Sequence, residues 1–278
     1  MRCFFTSDLH GREARYEALF GAVSSEGPDG LFLGGDLLPR AADPEEFLAE
    51  HLFGRLRSLR GGGRAPRCFV ILGNDDPRIH EEILTEAAEE GLIEYVHGRS
   101  VPFGPWFVTG YAFVPPTPFR LKDWEKYDVS RQVDPGSVSP EEGTRSVDVS
   151  LREIRYGTIA ADLEELAAMS PPERTLFLFH SPPYKTALDR AALDGRMVDH
   201  APLDVHVGSV AIARFIEEKQ PRVTLHGHVH EAPRLSGRWR ERIGETHAFT
   251  GCHDGRGIGL VRFDPDRPED ATREVLGD

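Results

Sequence analysis

Several features that mark other classes of protein are scarce in this sequence. The 278 residues include only three cysteines, an odd and widely spaced set that gives no disulfide framework. Cys3 and Cys68 lie in apolar runs and are predicted to be buried thiols, whereas Cys252 stands beside His253 and is a candidate for a place near a site. No apolar run approaches the roughly 18 residues that span a bilayer, and Asp8 interrupts the first run too early for a signal peptide. We therefore expect a cytoplasmic protein with no membrane partner.

Positive charge is scarce as well. The sequence has 33 basic against 46 acidic side chains, which gives a net charge of −13 at pH 7 with neutral histidines. Because proteins that bind long nucleic acids usually present a basic face, this balance argues against an extended nucleic-acid partner. An anionic substrate would need a local positive charge, which a bound metal ion supplies.

Short apolar segments alternate with helical patterns along much of the chain, which is typical of βαβ units and a largely parallel sheet. Asp76 followed by Pro77 predicts a helix that begins there, with Asp76 as its N-cap. The predicted strands are 2–7, 31–33, 68–72, 175–179 and 222–225. Further helices are predicted over 13–23, 44–59 and 210–219.

The middle of the chain differs in composition. Residues 115–149 are rich in proline, serine and charged residues and show no sustained period. We predict a long loop or cap there, because such stretches in compact domains usually have a function or are mobile. Four basic side chains could contact phosphate from this region, and each is expected to be solvated instead: Arg120, Lys122, Arg131 and Lys185.

The segments that follow are predicted to be helical and then mainly extended. Ser150 and Glu153 form a capping-box pattern at the start of one helix that continues to Leu166. Residues 235–263 contain short strand-like pieces broken by glycine, which predicts antiparallel hairpins. The acidic stretch from Asp264 onward is interpreted as a solvated tail.

Polar residues follow the predicted strands at the points where they end. Because ligands of open α/β sheets bind beyond the carboxyl ends of the strands, we expect these residues to converge on one crevice. In chain order they are Asp8 and His10, Asp36, Asn74, His180, and His228 and His230.

This set of side chains suits a pair of divalent metal ions. Carboxylate and amide oxygens together with imidazole nitrogens are preferred by manganese, iron, zinc and nickel. One carboxylate can bridge two ions, and a hydroxide held between them is a strong nucleophile at neutral pH. Glycines beside Asp36, Asn74 and His228 allow the tight turns that bring short side chains close to an ion.

The order of these motifs resembles that in the calcineurin-like metallophosphoesterases. The motifs are Asp8-x-His10, Gly35-Asp36, Gly73-Asn74-Asp75, His180 and Gly227-His228-x-His230. The segments 180–183 and 207–209 are also similar to a prokaryotic branch of predicted phosphoesterases. The resemblance implies a single domain over residues 1–278 with an α/β fold, a four-layer αββα sandwich of two mixed β-sheets flanked by helices.

The resemblance also implies the metal ligands and the reaction. Asp8, His10, Asp36 and His230 would hold one ion, and Asp36, Asn74, His180 and His228 the second, with Asp36 as the bridge. The reaction would be in-line attack on phosphorus by a metal-bridging hydroxide. We expect two manganese ions, with iron, zinc or nickel as alternatives. The expected substrate is a small phosphate ester such as a nucleotide, a diester in preference to a monoester, and no oligomeric state is predicted.

Position 75 departs from the family pattern. Many members have histidine after the Gly-Asn pair, where it is thought to protonate the leaving oxygen or steady the transition state, but this chain has Asp75. An aspartate is ionised at pH 7 and is a poor proton donor. We therefore expect leaving groups that need little protonation, or another donor. The nearest candidate donors are His226, His206 and His253, with His226 alternatively a core histidine or an orienting partner of the ligands. Asn74, His206 and His253 are also predicted to contact the substrate.

Two alternative functions share these ligands. A scaffold or interaction protein could keep the fold with little turnover, which Asp75 favours and the complete ligand set opposes. A nuclease would use the same metal site, but the net charge of −13 opposes a long duplex footprint. The metallo-β-lactamase pattern does not fit, because Glu231 follows the closely spaced histidines. The amidohydrolase pattern does not fit either, because it places its histidine pair at the first strand, whereas here the histidines stand late in the chain.

Overall fold

The computed structural model describes residues 1–277 and contains two six-stranded β-sheets. The strands of the first sheet are β1 (Cys3–Thr6), β2 (Gly30–Gly34), β3 (Arg67–Ile71), β4 (Glu94–Tyr95), β13 (Ile258–Phe263) and β14 (Thr272–Leu276). Those of the second sheet are β5 (Ser100–Phe103), β6 (Trp106–Tyr111), β7 (Thr175–Phe179), β10 (Val223–His226), β11 (Arg240–Ile243) and β12 (Thr246–Thr250). A separate two-stranded sheet consists of β8 (Met197–Val198) and β9 (Ala201–Pro202).

Both large sheets are mixed. The first has the order β14-β13-β1-β2-β3-β4, with β1 to β4 parallel and β13 and β14 antiparallel to their neighbours. The second has the order β11-β12-β10-β7-β6-β5, with its four central strands parallel and its two edge strands antiparallel. The β11–β12 pair is one of the predicted antiparallel hairpins. The predicted fold class, two mixed sheets flanked by helices, is confirmed.

The helices flank the sheets. No helix within residues 1–277 has both the length and the apolar character needed to cross a bilayer. A π-helical turn over Ala49–Phe53 joins the second helix to the third, so the helical pattern predicted over 44–59 is continuous. The helices are α1 (Glu13–Glu26), α2 (Pro44–Leu48), α3 (Gly54–Gly61), α4 (Glu81–Glu89), α5 (Leu151–Tyr156), α6 (Ile159–Ala167), α7 (Val210–Lys219) and α8 (Ala232–Ser236).

Phenylalanine side chains pack the two sheets against each other. Phe103 of β5 contacts Phe32 of β2 and Phe69 of β3, with ring centroids 6.0 and 5.0 Å apart. Phe249 of β12 lies 5.9 Å from Phe263 of β13. All five rings are buried, and burial of each contributes about 1.5–3 kcal/mol. This interior layer explains why so many of the strands are apolar runs.

The carboxyl ends of the central parallel strands meet at one edge of this sandwich. His180, directly after β7, has Nδ1 2.7 Å from the main-chain oxygen of Gly34 at the end of β2. The main-chain N–H of His228, just beyond β10, donates to Asp8 Oδ1 at 3.1 Å. These contacts join the two sheets, and the loops after their strands converge as predicted.

Two predictions of secondary structure are wrong. The single helix expected from Ser150 is two helices, because Gly157 is extended and Thr158 caps a new helix with a hydrogen bond from Ala161 N at 3.2 Å. The residues after Asp264 are not a solvated tail, since β14 pairs with β13 and extends the first sheet. Main-chain hydrogen bonds, which leave no apolar pattern in the sequence, hold this polar edge strand.

Residues 115–149 contain no helix or strand, as predicted, but several of their side chains are buried. Trp124 is buried, and its Nε1 donates to the main-chain oxygen of Asp76 at 2.9 Å. Lys122 is buried too and forms an ion pair with Glu125. The expectation that Lys122 is solvated is therefore wrong, because the carboxylate of Glu125 compensates its charge away from water.

This irregular segment also supports the second half of the chain. The carboxylate of Asp128 accepts hydrogen bonds from Ser209 Oγ at 2.6 Å and from Val210 N at 2.7 Å. These groups lie at the start of α7, where the first N–H groups have no partner within the helix. Residues 115–149 thus cap a helix that packs Phe215 against Phe177 of β7.

Asp76 is not the N-cap of the helix that follows it. A 3₁₀ turn over Arg78–His80 comes first, and α4 begins only at Glu81. The buried carboxylate of Asp76 instead joins the loops after β2 and β3, which carry Asp36 and Asn74. It accepts hydrogen bonds from three main-chain N–H groups, those of Leu37 at 3.0 Å, Leu38 at 2.8 Å and Gly73 at 2.9 Å.

We expect the substitution Asp76→Asn to lower the free energy of unfolding by about 2–4 kcal/mol, since each buried donor left without a partner costs about 1–3 kcal/mol. The amide has one acceptor oxygen, so its NH2 group would face a main-chain N–H. Urea unfolding followed by circular dichroism measures the loss. Asp43→Asn is the matched control, because Asp43 caps α2 at the surface and asparagine caps equally well. A loss no larger than that of the control would contradict this role of Asp76.

Candidate metal centre

Four side chains come together at the strand ends. They are Asp8 and His10 after β1, Asp36 after β2 and His230 after β10, and one ligand atom of each lies within 4.8 Å of the others. His230 Nε2 is 3.1 Å from both Asp8 Oδ1 and His10 Nε2, and His10 Nε2 is 3.9 Å from Asp36 Oδ2. Two imidazole nitrogens and two carboxylates directed at one point fit a divalent cation. The resemblance to the calcineurin-like metallophosphoesterases implies this same set for the first ion.

The other predicted ligands lie on the opposite side of Asp36. His180 Nε2 is 3.5 Å from Asp36 Oδ1 and 3.1 Å from Asn74 Oδ1, and the ring centroids of His180 and His228 are 5.3 Å apart. Nδ1 of His180 is occupied by the contact with Gly34, which leaves Nε2 for a metal. The two oxygens of Asp36 therefore face two groups of donors, as a bridging carboxylate would.

Burial makes the carboxylates depend on the imidazoles around them. Asp8 and Asp36 are only 1% and 3% exposed, and burial alone would raise the pKa of each. The charges of neighbouring histidines, His230 foremost for Asp8 and His180 for Asp36, lower both pKa values instead. Burial would lower the pKa of His180, but Asp36 and Asp8 raise it to about 9. The cluster therefore contains two buried carboxylates, and their negative charge requires cations nearby.

Four of the ligands have an unusual backbone. Asp8, His10, Asp36 and His228 have φ angles of +60°, +48°, +53° and +75°. Residues with a Cβ rarely adopt this left-handed region, and each instance costs about 1–3 kcal/mol. Their occurrence in one place is typical of a functional site, because the surrounding structure has to impose them.

Two glycines are required by the close packing of the ligands. Gly35 has φ +95°, and a Cβ there would lie 2.6 Å from His180 Nδ1. A Cβ on Gly73 would lie 2.6 Å from both His180 Cε1 and the main-chain nitrogen of Asp36. Distances this short do not occur between non-bonded atoms, so larger residues would displace Asp36 and His180. The geometry thus agrees with the expectation that glycines bring these ligands together.

Three residues that orient Asp8 were not singled out as supports by the sequence analysis. Ser7 Oγ donates to Asp8 Oδ2, and Cys252 Sγ lies 3.3 Å from the same oxygen. Arg15 Nη1 donates to the main-chain oxygen of Asp8. Cys252 follows β12, which runs parallel to β10 and ends at the same edge. The end of β12 in the sequence is therefore the signal from which the position of Cys252 beside Asp8 could have been predicted.

Two predicted site histidines lie outside the ligand groups. His226 is buried, with Nδ1 2.9 Å from Ser181 O and Nε2 2.8 Å from Thr224 Oγ1. Both ring nitrogens are thus engaged with the protein, and burial lowers the pKa of His226 to about 4. This geometry gives no support to His226 as a proton donor. His206 Nδ1 contacts Asp189 Oδ1 at 2.7 Å, away from the ligands.

A cavity of about 770 Å³ opens beside His10 and His230. Asp75 and His253, both predicted to act on the substrate, line it together with arginines at positions 12, 40 and 234. His206, His226 and residues 115–149 are not among the residues of the described chain that line this cavity.

Comparison with known proteins agrees with this geometry. Residues 1–232 match the calcineurin-like phosphoesterase family, and the chain belongs to it. The TT1561 protein of Thermus thermophilus is 20% identical over 99% of this chain and 98% of its own, with a TM-score of 0.59. A dimetal phosphatase from Danio rerio is 11% identical over 100% of this chain and 96% of its own, with a TM-score of 0.52. These two likenesses show the fold, and no curated protein matches the chain in sequence.

We expect the metal-free protein to release protons when it binds divalent metal at pH 7. With a pKa of about 9, His180 is protonated at pH 7, and its ring must become neutral before Nε2 can bind a metal. The number of protons released should be about one or more per protein at pH 7 and should fall as the pH rises through about 9. Calorimetric titration with manganese, in buffers of different ionisation enthalpy, measures this number.

Substitution of single histidines separates this source of protons from others. His180→Gln should reduce the number released by about one. His247→Gln is the matched control, because His247 lies on β12 outside the cluster, and it should leave the number unchanged. Manganese binding to the unsubstituted protein without proton release would contradict the charge state derived for His180.

Proposed function

We propose that this member of the calcineurin-like phosphoesterases hydrolyses small phosphate diesters with the help of two divalent metal ions. The observation that carries the proposal is the position of Asp36, whose Oδ2 faces His10 at 3.9 Å and whose Oδ1 faces His180 at 3.5 Å. A carboxylate that bridges two metal ions has to lie between two sets of metal-binding side chains, as Asp36 does. A carboxylate with a purely structural role would not require metal-binding side chains on both sides.

The ligands are assigned to two positions. Asp8, His10, Asp36 and His230 would hold one ion, and Asp36, Asn74, His180 and His228 would hold the other. When bound, such ions lower the pKa of water and neutralise charge on a phosphoryl group. The chain orients the donors: Ser7 and Cys252 direct Asp8, and the contact of His180 with Gly34 directs its Nε2. Nitrogen and oxygen donors without thiolate favour manganese, with iron, zinc or nickel as alternatives.

The charge of the cavity supports a diester over a monoester. Near pH 7 a phosphate monoester carries close to two negative charges and a diester carries one. Apart from histidines, the charged lining residues cancel, so they leave no net positive charge for a second negative charge on the substrate. They are the acidic residues Glu13, Asp75, Glu231 and Asp254 and the arginines Arg12, Arg15, Arg40 and Arg234. Asp75 also provides no proton for the leaving group, so aryl and nucleotide diesters, whose leaving groups need little protonation, fit best.

The setting proposed for this activity is a reducing cytoplasm, and the proposed partner is a small nucleotide-like ester. The three cysteines are buried and unpaired, which suits such a compartment. Neither a membrane nor an extended nucleic acid is needed by the site, since the cavity is small and the net charge is −13.

Hydrolysis of 4-nitrophenyl esters tests the proposal. With manganese, the protein should hydrolyse bis(4-nitrophenyl) phosphate with a higher kcat/KM than 4-nitrophenyl phosphate. Asp36→Asn should reduce kcat/KM more than about 100-fold, because loss of a shared ligand weakens both ions, whereas loss of an outer partner alone costs 10–100-fold. Asp194→Asn, at an exposed position paired with Arg190, is the matched control and should retain the activity.

Elemental analysis distinguishes the rival functions in the same samples. Stoichiometric metal without hydrolysis of either ester would favour the scaffold alternative and overturn the proposal. Faster cleavage of DNA than of the aryl diester would favour a nuclease and overturn it as well.

A further inference from the structure

The cavity beside the metal centre has one apolar face. Four apolar side chains that line the cavity belong to the segment between β2 and the end of α2, and we call them the apolar face: Pro39, Ala41, Ala42 and Phe47. The charged residue of this segment that lines the cavity, Arg40, pairs with Asp75. The acidic residues and histidines that line the cavity belong to other segments. A molecule bound there therefore meets an apolar surface on one side and polar groups elsewhere.

Phe47 is fixed within this face by two other rings. Its ring centroid lies 5.3 Å from that of Tyr16, in an edge-to-face contact, and 4.5 Å from that of His51. The hydroxyl of Tyr16 in turn donates to the main-chain oxygen of Leu37 at 2.9 Å. Phe47 is only 7% exposed, so its ring does not have to be ordered when a ligand arrives. Contact with a preformed surface costs a ligand less than contact with a mobile side chain.

The apolar face begins beside a predicted metal ligand. Pro39 packs against Gly11, where a Cβ would lie 2.2 Å from Pro39 Cα. The N–H of Gly11 donates to the main-chain oxygen of Leu37 at 2.9 Å, and the N–H of His10 donates to that of Asp36 at 2.7 Å. Because the same cavity extends from His10 to the apolar face, a substituent of a phosphoryl group bound at the metal centre can lie against this face.

The chemistry of the face favours a planar aromatic substituent. Apolar side chains gain free energy when apolar ligand surface leaves water, and a second ring beside Phe47 gains more through edge-to-face or offset-stacked contact. A hydroxyl-rich or charged substituent would lose its hydration there without a hydrogen-bond partner. Asp75 favours an aryl ester for a separate reason, which concerns the departure of the leaving group and not its binding.

We propose that the apolar face binds a planar aromatic substituent of the phosphate ester and that Phe47 determines this specificity. The inference rests on the proposed function, since it names the group that the ester carries. An aryl ring bonded to the phosphate oxygen and the base of a nucleotide share this chemistry, and they differ in the distance between ring and phosphorus.

Phosphonates test the contact without turnover, because their carbon–phosphorus bond is not hydrolysed. The manganese-loaded protein should bind phenylphosphonate more tightly than methylphosphonate in calorimetry. Phe47→Leu should lower the ratio of the two affinities about 2–10-fold, since leucine keeps the apolar character but lacks the ring. Its methylphosphonate affinity and manganese content should stay unchanged. Phe107→Leu is the matched control, because Phe107 lies on β6 beneath Arg174, outside the cavity, and it should keep the ratio of the parent.

A second variant avoids any change in the protein interior. Ala42 is exposed, so Ala42→Asp adds a carboxylate to the apolar face at little cost in stability. It should lower the phenyl-to-methyl ratio, because a ring placed there would desolvate the new charge. Ala192→Asp is the matched control, since Ala192 is also exposed and lines the cavity beside Glu231. The added charge should weaken both phosphonates alike there and leave the ratio unchanged.

A second pair of ligands distinguishes the two sources of the ring. Adefovir, an adenine whose side chain ends in a phosphonate, is compared with ethoxymethylphosphonate, which has the same chain without the base. A preference that falls in Phe47→Leu and Ala42→Asp for the phenyl pair supports a directly attached aryl group. One that falls for the adenine pair supports a nucleotide.

Two outcomes overturn the proposal. In the first, the parent binds the members of each pair with affinities within about twofold of one another. In the second, both variants keep the preferences of the parent. Failure of the proposed function gives a different result, because the parent then hydrolyses neither 4-nitrophenyl ester while its preference for the aromatic phosphonate still falls in both variants.

Discussion

The carboxylates of Asp8 and Asp36 lie almost entirely out of water, and their nearest counter-charges are imidazoles on other loops. Neither carboxylate could stay ionised there alone, because a buried charge without a partner is strongly destabilising. The proton on His180, whose pKa the two carboxylates raise to about 9, compensates part of the charge in the metal-free protein, and divalent cations would do so more completely. The centre therefore joins the two sheets, since predicted ligands after β1 and β2 contact predicted ligands after β7 and β10.

The structure around the centre consists largely of contacts that keep these loops in place. Asp76 ties the loop after β2 to the loop after β3 through three main-chain N–H groups, and Trp124 in turn donates to Asp76. Left-handed φ angles at Asp8, His10, Asp36 and His228 are sustained by this framework and not by local preference. Residues 115–149 do not line the cavity. Their buried Trp124 nevertheless helps to hold the loops of the site in place through Asp76.

The sequence predicted the features that recur at each strand end, and it missed those that depend on individual contacts in the folded protein. The strand-end residues were predictable because each parallel strand delivers its next residues to the same edge, and the first donor group matches the expected one. Asp76, Lys122 and β14 were not predictable. Asp76 accepts a hydrogen bond from Leu37 in a loop far away in sequence, and main-chain hydrogen bonds to β13 hold β14. Lys122 pairs with Glu125 only three residues away, but the segment around them has no periodic pattern that would indicate burial. His226 follows the same rule, since its spacing matches a ligand run while its strand turns both ring nitrogens to Ser181 and Thr224.

Position 75 shows how one substitution changes what a side chain beside the metal centre can contribute to the reaction. A histidine there would be a cation and a proton donor at once, and both properties would change with pH. In this chain the carboxylate of Asp75 instead pairs with the guanidinium of Arg40, and neither group is a proton donor at neutral pH. Because Asp75 supplies no proton, the proposed reaction depends either on the acidity of the departing alcohol or on His253, which lines the cavity. The proposed preference for aryl and nucleotide diesters follows from this restriction on the leaving group.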